Sequence, residues 1–249
     1  MAEAHPLPGD EAHLWQLDLS EVAGKERIAA YEALLAPEEQ VRYHRFRVDE
    51  GRRQYLGGRG LVRTVLSRYA PQVAASEWRF EAGEHGRPHL VGGEQLEGVS
   101  FNLSHTRGQA LLLVAKGCLV GVDVERSEKG RHFVELAQRF FAPSEAEEIL
   151  ALPEHAQAAR FYQYWTLKES YIKGRGMGLS IPLSQFAFRL GGESIQLHCE
   201  PELGDEGADW QFIQSQLTPE HPFACALRRG KEPDRRLLIR RETPFACSR

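Results

Sequence analysis

The sequence predicts an α+β fold, with strands and helices mixed along the chain and the sheets mostly antiparallel. Two β-rich apolar runs, Ala110–Ala115 and Cys118–Glu125, stand only Lys116-Gly117 apart, the length of a tight hairpin turn. Two long stretches, from about Gly51 to Tyr69 and from about His155 to Lys173, place apolar residues at the helical period. Short strand-like runs set off by turn residues fill the last third. Mixed elements without a regular strand-helix alternation point to α+β rather than to a parallel α/β sheet.

Taken in order, His13–Leu19 alternates Leu14, Gln16 and Asp18 with Trp15, Leu17 and Leu19, the pattern of an edge strand. Helical patterns follow over Glu26–Leu35 and Pro37–Phe46, with Ser20 as a candidate cap and Pro37 acceptable in a first turn. The helix over 51–69 turns Tyr55, Leu56, Leu61, Val62, Val65 and Leu66 inward, and Pro71 ends it. Beyond a polar stretch, Val99–Leu103 reads as a strand leading into Ser104-His105, ahead of the expected hairpin. Phe133–Leu152 is helical, with Pro143 and Ser144 opening a turn rich in acids. Strands are then expected over Phe186–Leu190, Ser194–Cys199, Trp210–Gln216 and Phe223–Leu227.

The composition bounds the function. With 249 residues the chain can bury a real core, as one domain or two. A formal charge of −4 gives no global basic field for nucleic acid or acidic membranes, so any polyanion site is local. Cys118, Cys199, Cys225 and Cys247 lie far apart with no CxxC pair and read as reduced thiols. Neither a signal-peptide pattern nor a membrane-length apolar run is visible, so the expected location is the cytoplasm.

Candidate chemistry starts at VGVDVE. Strand geometry sends Val120, Val122 and Val124 to one face and Gly121, Asp123 and Glu125 to the other. Two carboxylates on one face of an apolar strand need a cation or donors, and oxygen ligands of this kind suit Mg2+. By itself an isolated DxE reads more simply as solvated acids. In FYQYWTLKESYIK, Phe161, Trp165 and Ile172 form an apolar stripe with Glu169 and Lys173 one turn apart along its edge and Lys168 on its other side. The plain alternative is an exposed i,i+4 pair, worth a few tenths of a kcal/mol.

Ser104 and His105 could hold phosphate oxygens at a strand end. As a hydrolase dyad they are poorly suited, because neighbours on a strand point to opposite faces and no GxSxG elbow is present. A local basic patch spans Arg42, Arg45, Arg47, Arg52, Arg53, Arg59, Arg63 and Arg68. Arginine forks suit phosphate, although most of these residues should simply be a solvated helix face.

Together GRP at Gly86–Pro88, FNLSHT at Phe101–Thr106, GVDVE at Gly121–Glu125 and FYQYWTLKESYIKGRGMGL at Phe161–Leu179 resemble the 4'-phosphopantetheinyl transferase superfamily, in its order and near its spacing. The likeness runs from about Arg42 to Phe188 and is to the long, monomeric type, that of the surfactin-synthetase activator. It implies two similar α/β halves related by a pseudo-twofold, 1–118 on the nucleotide side and 119–249 with the metal-binding carboxylates and the catalytic helix. It further implies coenzyme A as substrate, Mg2+ as cofactor, and apo acyl or peptidyl carrier proteins as partners, with no nucleic acid or membrane.

By resemblance Asp123, Glu125 and Glu169 ligate Mg2+, and Glu169 also acts as base, directly or through water. Glu169, Lys173 and His105 form the implied catalytic set. Arg47, Arg52, Arg53, Arg87, Pro88, Asn102, Ser104, His105, Lys168 and Lys173 are implied around coenzyme A, with Arg87 standing where relatives often carry Lys. Gly174, Gly176 and Gly178 permit either tight turning beside the ligand or a lid. A noncatalytic binding module is the alternative, against which the intact Asp123, Glu125, Glu169 and Lys173 argue. A nucleic-acid binder using the arginine patch is a further alternative, disfavoured by the acidic total and the lack of an aromatic stacking motif.

Overall fold

The computed structural model describes residues 5–83, 88–128, 132–177, 181–192 and 194–242. The chain forms two compact units, one from the segment up to Gly117 together with that from Arg236, the other from Cys118 to Arg235.

In the first unit, strands β1 (Glu11–Asp18), β4 (Val99–Thr106), β5 (Gln109–Lys116) and β11 (Arg236–Arg241) form one sheet in the order β11-β1-β5-β4. β1 pairs antiparallel with β5 and parallel with β11. It is therefore an interior strand and not the expected edge, and its mostly buried residues fit that place. Helices α1 (Lys25–Glu32), α2 (Pro37–Arg45) and α3 (Asp49–Tyr69) follow β1. The Leu56, Leu61, Val65 and Leu66 face of α3 packs with Trp15, Leu17, Leu112 and Val114 of the sheet, as its helical period requires. Ser20 caps no α-helix; Gly24 precedes α1, and Asp18 accepts from Ser20 N and Oγ at a short 3-10 turn. A small ribbon, β2 (Phe80–Ala82) with β3 (Pro88–Leu90), lies in the stretch read as merely polar.

The expected 110–125 hairpin does not form. β5 pairs with β1 and β4, whereas β6 (Leu119–Val124) pairs with β10 (His221–Arg228) in the second unit. The two-residue link is thus the passage from one unit to the next. Nor does 119–249 stay whole, because β11 returns to the first unit's sheet. There Glu242, 1% exposed, accepts both Arg68 Nε and a terminal nitrogen of Arg68 at 2.7 Å.

In the second unit β6, β10 and β9 (Trp210–Thr218) make an antiparallel sheet, order β6-β10-β9. Helices α4 (Phe133–Phe140), α5 (Pro143–Ala151) and α6 (Glu154–Arg175) and the ribbon β7 (Phe186–Arg189) with β8 (Gln196–Cys199) complete it. Pro143 splits the expected 133–152 helix in two, since proline serves a first helical turn better than an interior. α6 buries Phe161, Tyr164, Leu167, Tyr171 and Ile172 against the sheet and its neighbours, and ends at Gly176 in the left-handed conformation (φ 71°).

The two units share a local device. α2 and α5 both begin with Ala-Pro, and a glutamate in the first turn, Glu39 or Glu145, accepts the backbone N–H of Ala36 or Ala142. Each glutamate also pairs with a fully buried cation on the long helix, Arg63 on α3 or Lys168 on α6. Each cation then donates to two carbonyls of the segment after its helix, Ala75 and Trp78 or Leu183 and Phe186.

Candidate active site

The site in the second unit is set by how closely α6 lies on β6. A Cβ on Gly121 would fall 2.0 Å from Ser170 O and 2.3 Å from Gly174 N, so only glycine admits the helix there. That approach brings Glu169 and Lys173 of α6 to Asp123, which shares the Gly121 face of β6. Lys173 Nζ donates to Asp123 Oδ1 at 2.6 Å, and Asp123 is 3% exposed. Glu125, just past β6, is half-buried and accepts a hydrogen bond from Trp165 Nε1 at 3.0 Å. Trp165, Glu169 and Lys173 are successive i,i+4 positions and so share one face of α6.

Electrostatics tie the acids together. Burial, then the neighbouring Asp123 charge, pushes the Glu125 carboxyl up to about 7, with the Trp165 bond and Lys173 opposing. Burial and Asp123 likewise raise Glu169, against a smaller opposing pull from Lys173. Glu125, Glu169 and Trp165 also line a cavity of about 500 Å3 whose remaining wall is apolar, from Leu136, Phe140, Phe161 and residues 181–183. Carboxylates at the edge of an apolar pocket can accept a proton, hold a hard cation, or both.

Among the described residues no three His, Cys, Asp or Glu side chains gather closely enough to hold a metal. Asp123 is engaged by Lys173 in this arrangement. The donor set nevertheless fits Mg2+ in kind: three hard carboxylates share one partly buried neighbourhood, and two of them are held above their ordinary range in part by mutual repulsion.

The residues expected around coenzyme A divide more unevenly. In the first unit Asn102 and Ser104 of β4 are buried and His105 is exposed. Arg47 is exposed and Arg53 half-buried, while Arg52 Nε donates to Phe46 O at 2.7 Å. Arg63 and Arg68 are engaged within the fold by Glu39 and Glu242, and the Arg42 guanidinium lies over the Tyr55 ring. Pro88 opens β3. Arg87, Gly178 and Cys247 lie outside the described residues.

Lys168 departs from expectation. Its ammonium is fully buried and its three donors go to Glu145 Oε2 at 2.7 Å, Leu183 O at 2.8 Å and Phe186 O at 2.7 Å. These three acceptors take up the ammonium's three donors in this arrangement. A position one residue from Glu169 is rotated by about 100° on a helix, which carries Lys168 off the Glu169 face and into the packing of α5 and β7. Sequence reasoning also missed Trp165 as a donor to Glu125. The signal was available, since a tryptophan N–H four residues before Glu169 lies on the acid-bearing face.

Comparison with known proteins gives the family. Residues 119–228 match the family model described as 4'-phosphopantetheinyl transferase superfamily, and residues 23–118 match that of the 4'-phosphopantetheinyl transferase N-terminal region. The 4'-phosphopantetheinyl transferase HetI of Nostoc sp. is 34% identical, covering 70% of this chain and 72% of the relative. The 4'-phosphopantetheinyl transferase Sfp of Bacillus subtilis is also 34% identical, covering 70% and 75%. The human L-aminoadipate-semialdehyde dehydrogenase-phosphopantetheinyl transferase is 28% identical, covering 78% and 67%. The chain belongs to the 4'-phosphopantetheinyl transferase superfamily. Within it the chain is of the long type, carrying both matched regions in tandem.

Proposed function

We propose that this protein transfers the 4'-phosphopantetheine arm of coenzyme A to a serine of apo acyl or peptidyl carrier proteins, releasing adenosine 3',5'-bisphosphate. The observation that carries the reading is the coupling of Glu125 and Glu169, which line one largely apolar cavity, to the Lys173–Asp123 pair between α6 and β6, in a chain of this family.

Asp123, Glu125 and Glu169 would hold Mg2+, which when bound supplies positive charge to a diphosphate. The carrier serine oxygen attacks the phosphorus that bears pantetheine, and the bond from that phosphorus to the oxygen bridging to the adenosine side breaks. The serine proton passes to the Glu169 carboxylate, directly or through a water. A raised Glu169 is a better proton acceptor than an ordinary glutamate. Lys173, held by Asp123, places an ammonium where the leaving phosphate gains charge, and positioning with charge stabilisation does most of the work. His105, Ser104, Asn102, Arg47, Arg52, Arg53, Arg87 and Pro88 are proposed for the nucleotide and its phosphates. The cavity beside Glu125 and Glu169 is proposed to seat the pantetheine arm, whose length and weak polarity suit aromatic walls.

The protein is proposed to act as a cytoplasmic monomer. One chain carries both matched regions, and Cys118, Cys199 and Cys225 are free thiols, as a reducing compartment favours. No described helix is long and apolar enough to cross a membrane.

Mass spectrometry of apo carrier proteins incubated with the protein, coenzyme A and Mg2+ tests the reading. A gain of one phosphopantetheine on the serine, lost with EDTA, is expected. No transfer to fatty-acid, polyketide or peptide-synthetase carriers would overturn it in favour of a noncatalytic module.

A further inference from the structure

The buried Lys168–Glu145 pair joins four segments of the second unit. Glu145 Oε1 accepts Phe188 N at 2.8 Å, and Oε2 accepts Ala142 N at 3.1 Å and Lys168 Nζ at 2.7 Å. Lys168 Nζ then holds Leu183 O and Phe186 O, with the Phe186 and Phe141 rings 4.3 and 5.3 Å from the ammonium. The two side chains are 0% and 1% exposed. Leu183 is itself part of the cavity wall that faces Glu169. Lys168 and Glu169 are adjacent on α6, so a shift of the wall at Leu183 is referred directly to the helix that carries the acid.

A buried ion pair of this kind is poor evidence for stability, since well-packed neutral groups often do as well. What it supplies is one fixed geometry. The three ammonium donors go to three acceptors, Glu145 on α5 and two carbonyls of the segment after α6, and a shorter or uncharged side chain cannot serve all three.

We infer that Lys168 and Glu145 are positioning residues: they set the wall at residues 181–183 against Glu169, and thereby determine how tightly the pantetheine arm is seated without touching substrate. This rests on the proposed transfer of phosphopantetheine and on the arm occupying the cavity. It separates Lys168 from Lys173, the lysine proposed for the leaving phosphate, because loss of the pair should affect the arm and not the nucleotide.

The test compares binding of coenzyme A with binding of adenosine 3',5'-bisphosphate, which lacks the arm, by calorimetry with Mg2+ present. Single loss of Lys168 would strand a buried carboxylate, so the variants are the neutral pair Lys168→Met/Glu145→Gln and the milder Glu145→Gln, each checked for native near-ultraviolet dichroism. Glu145→Gln keeps an acceptor at this position and serves if the double variant does not fold. The matching neutral pair in the first unit, Arg63→Met/Glu39→Gln, is the control for general softening. We expect coenzyme A to bind about tenfold more weakly to the Lys168 and Glu145 variants while the bisphosphate is unchanged. Equal weakening of both ligands, no weakening of either, or the same selective loss in the first-unit control would each overturn the inference. Leu183→Ala supplies an independent check: its effect on coenzyme A binding should be smaller in the neutral-pair background, and full additivity would also overturn it. Wild-type protein that bound neither ligand and modified no carrier would instead refute the underlying transferase reading.

Discussion

Lys173 Nζ lies 2.6 Å from Asp123 Oδ1, joining helix α6 to strand β6 across 50 residues of sequence. An ammonium in that position satisfies a buried carboxylate, and an arriving cation must share or replace it. Metal binding should therefore be coupled to protons and to this contact.

Mg2+ binding is expected to release protons near neutrality. The Glu125 carboxyl, raised to about 7, is largely protonated below that pH in the metal-free protein, whereas a metal ligand must be ionised. Affinity should rise with pH by up to about tenfold per unit below about 7 and level off above it. Calorimetry in two buffers of different ionisation enthalpy measures the proton count, and a pH-independent affinity between 5.5 and 7 would contradict the expectation.

Stability of the metal-free protein should run the other way. A carboxyl raised on folding contributes stability that is complete below its unfolded value and is lost as pH rises through its folded value. For Glu125 that window is from the ordinary 4.5 to about 7. Thermal melts without metal should thus fall in Tm across this interval, and saturating Mg2+ should restore it at the upper end.

Glu169→Gln is expected to cut transfer by about 100-fold or more, the usual scale for removing a general base. It also removes a buried charge beside Asp123, whose repulsion helps raise Glu169, so the metal-free Tm at pH 8 should hold or rise. A variant that lost both activity and Tm would point to misfolding instead.

Trp165→Phe keeps the ring and removes the N–H that Glu125 accepts. Loss of one hydrogen bond to a charged acceptor in a half-buried site should weaken Mg2+ by about tenfold with little change in Tm, measurable in one titration series.

Gly121→Ala should be far more damaging than its size suggests. The new methyl would lie on backbone atoms of α6, Ser170 O and Gly174 N, which cannot turn aside as a side chain can. A cost of about 3 kcal/mol or more is expected, together with lost transfer, because the helix that would have to retreat bears Glu169 and Lys173. Urea denaturation reads the first and the carrier assay the second.

Period made the shared faces legible, since alternate residues of VGVDVE lie on one strand face and Glu169 and Lys173 stand one turn apart on a helix, but only the family resemblance joined these acids into one site. Periodicity does not say which neighbour a face meets. Lys168 shows the limit, since its direction off the Glu169 face is local information but the presence of Glu145 there depends on a helix that comes earlier in the chain and on β7, which comes later. The expected hairpin failed for a similar reason. Lys116-Gly117 suits a tight turn, yet β5 found both its neighbours in β1 and β4, leaving β6 to pair with β10. β11 was passed over because arginines bracket its short apolar centre, and its partner β1 is more than 200 residues away.

The return of β11 to β1 also sets an order of assembly. As the chain leaves the ribosome, β1, β4 and β5 can pair long before Arg236–Arg241 exists, and the whole second unit is synthesised in between. During that interval one edge of β1 carries unsatisfied backbone groups, the kind of edge that recruits stray strands. The first unit's sheet is begun before the second unit is made and completed only after it, so this edge of β1 stays open until Arg236–Arg241 has been synthesised.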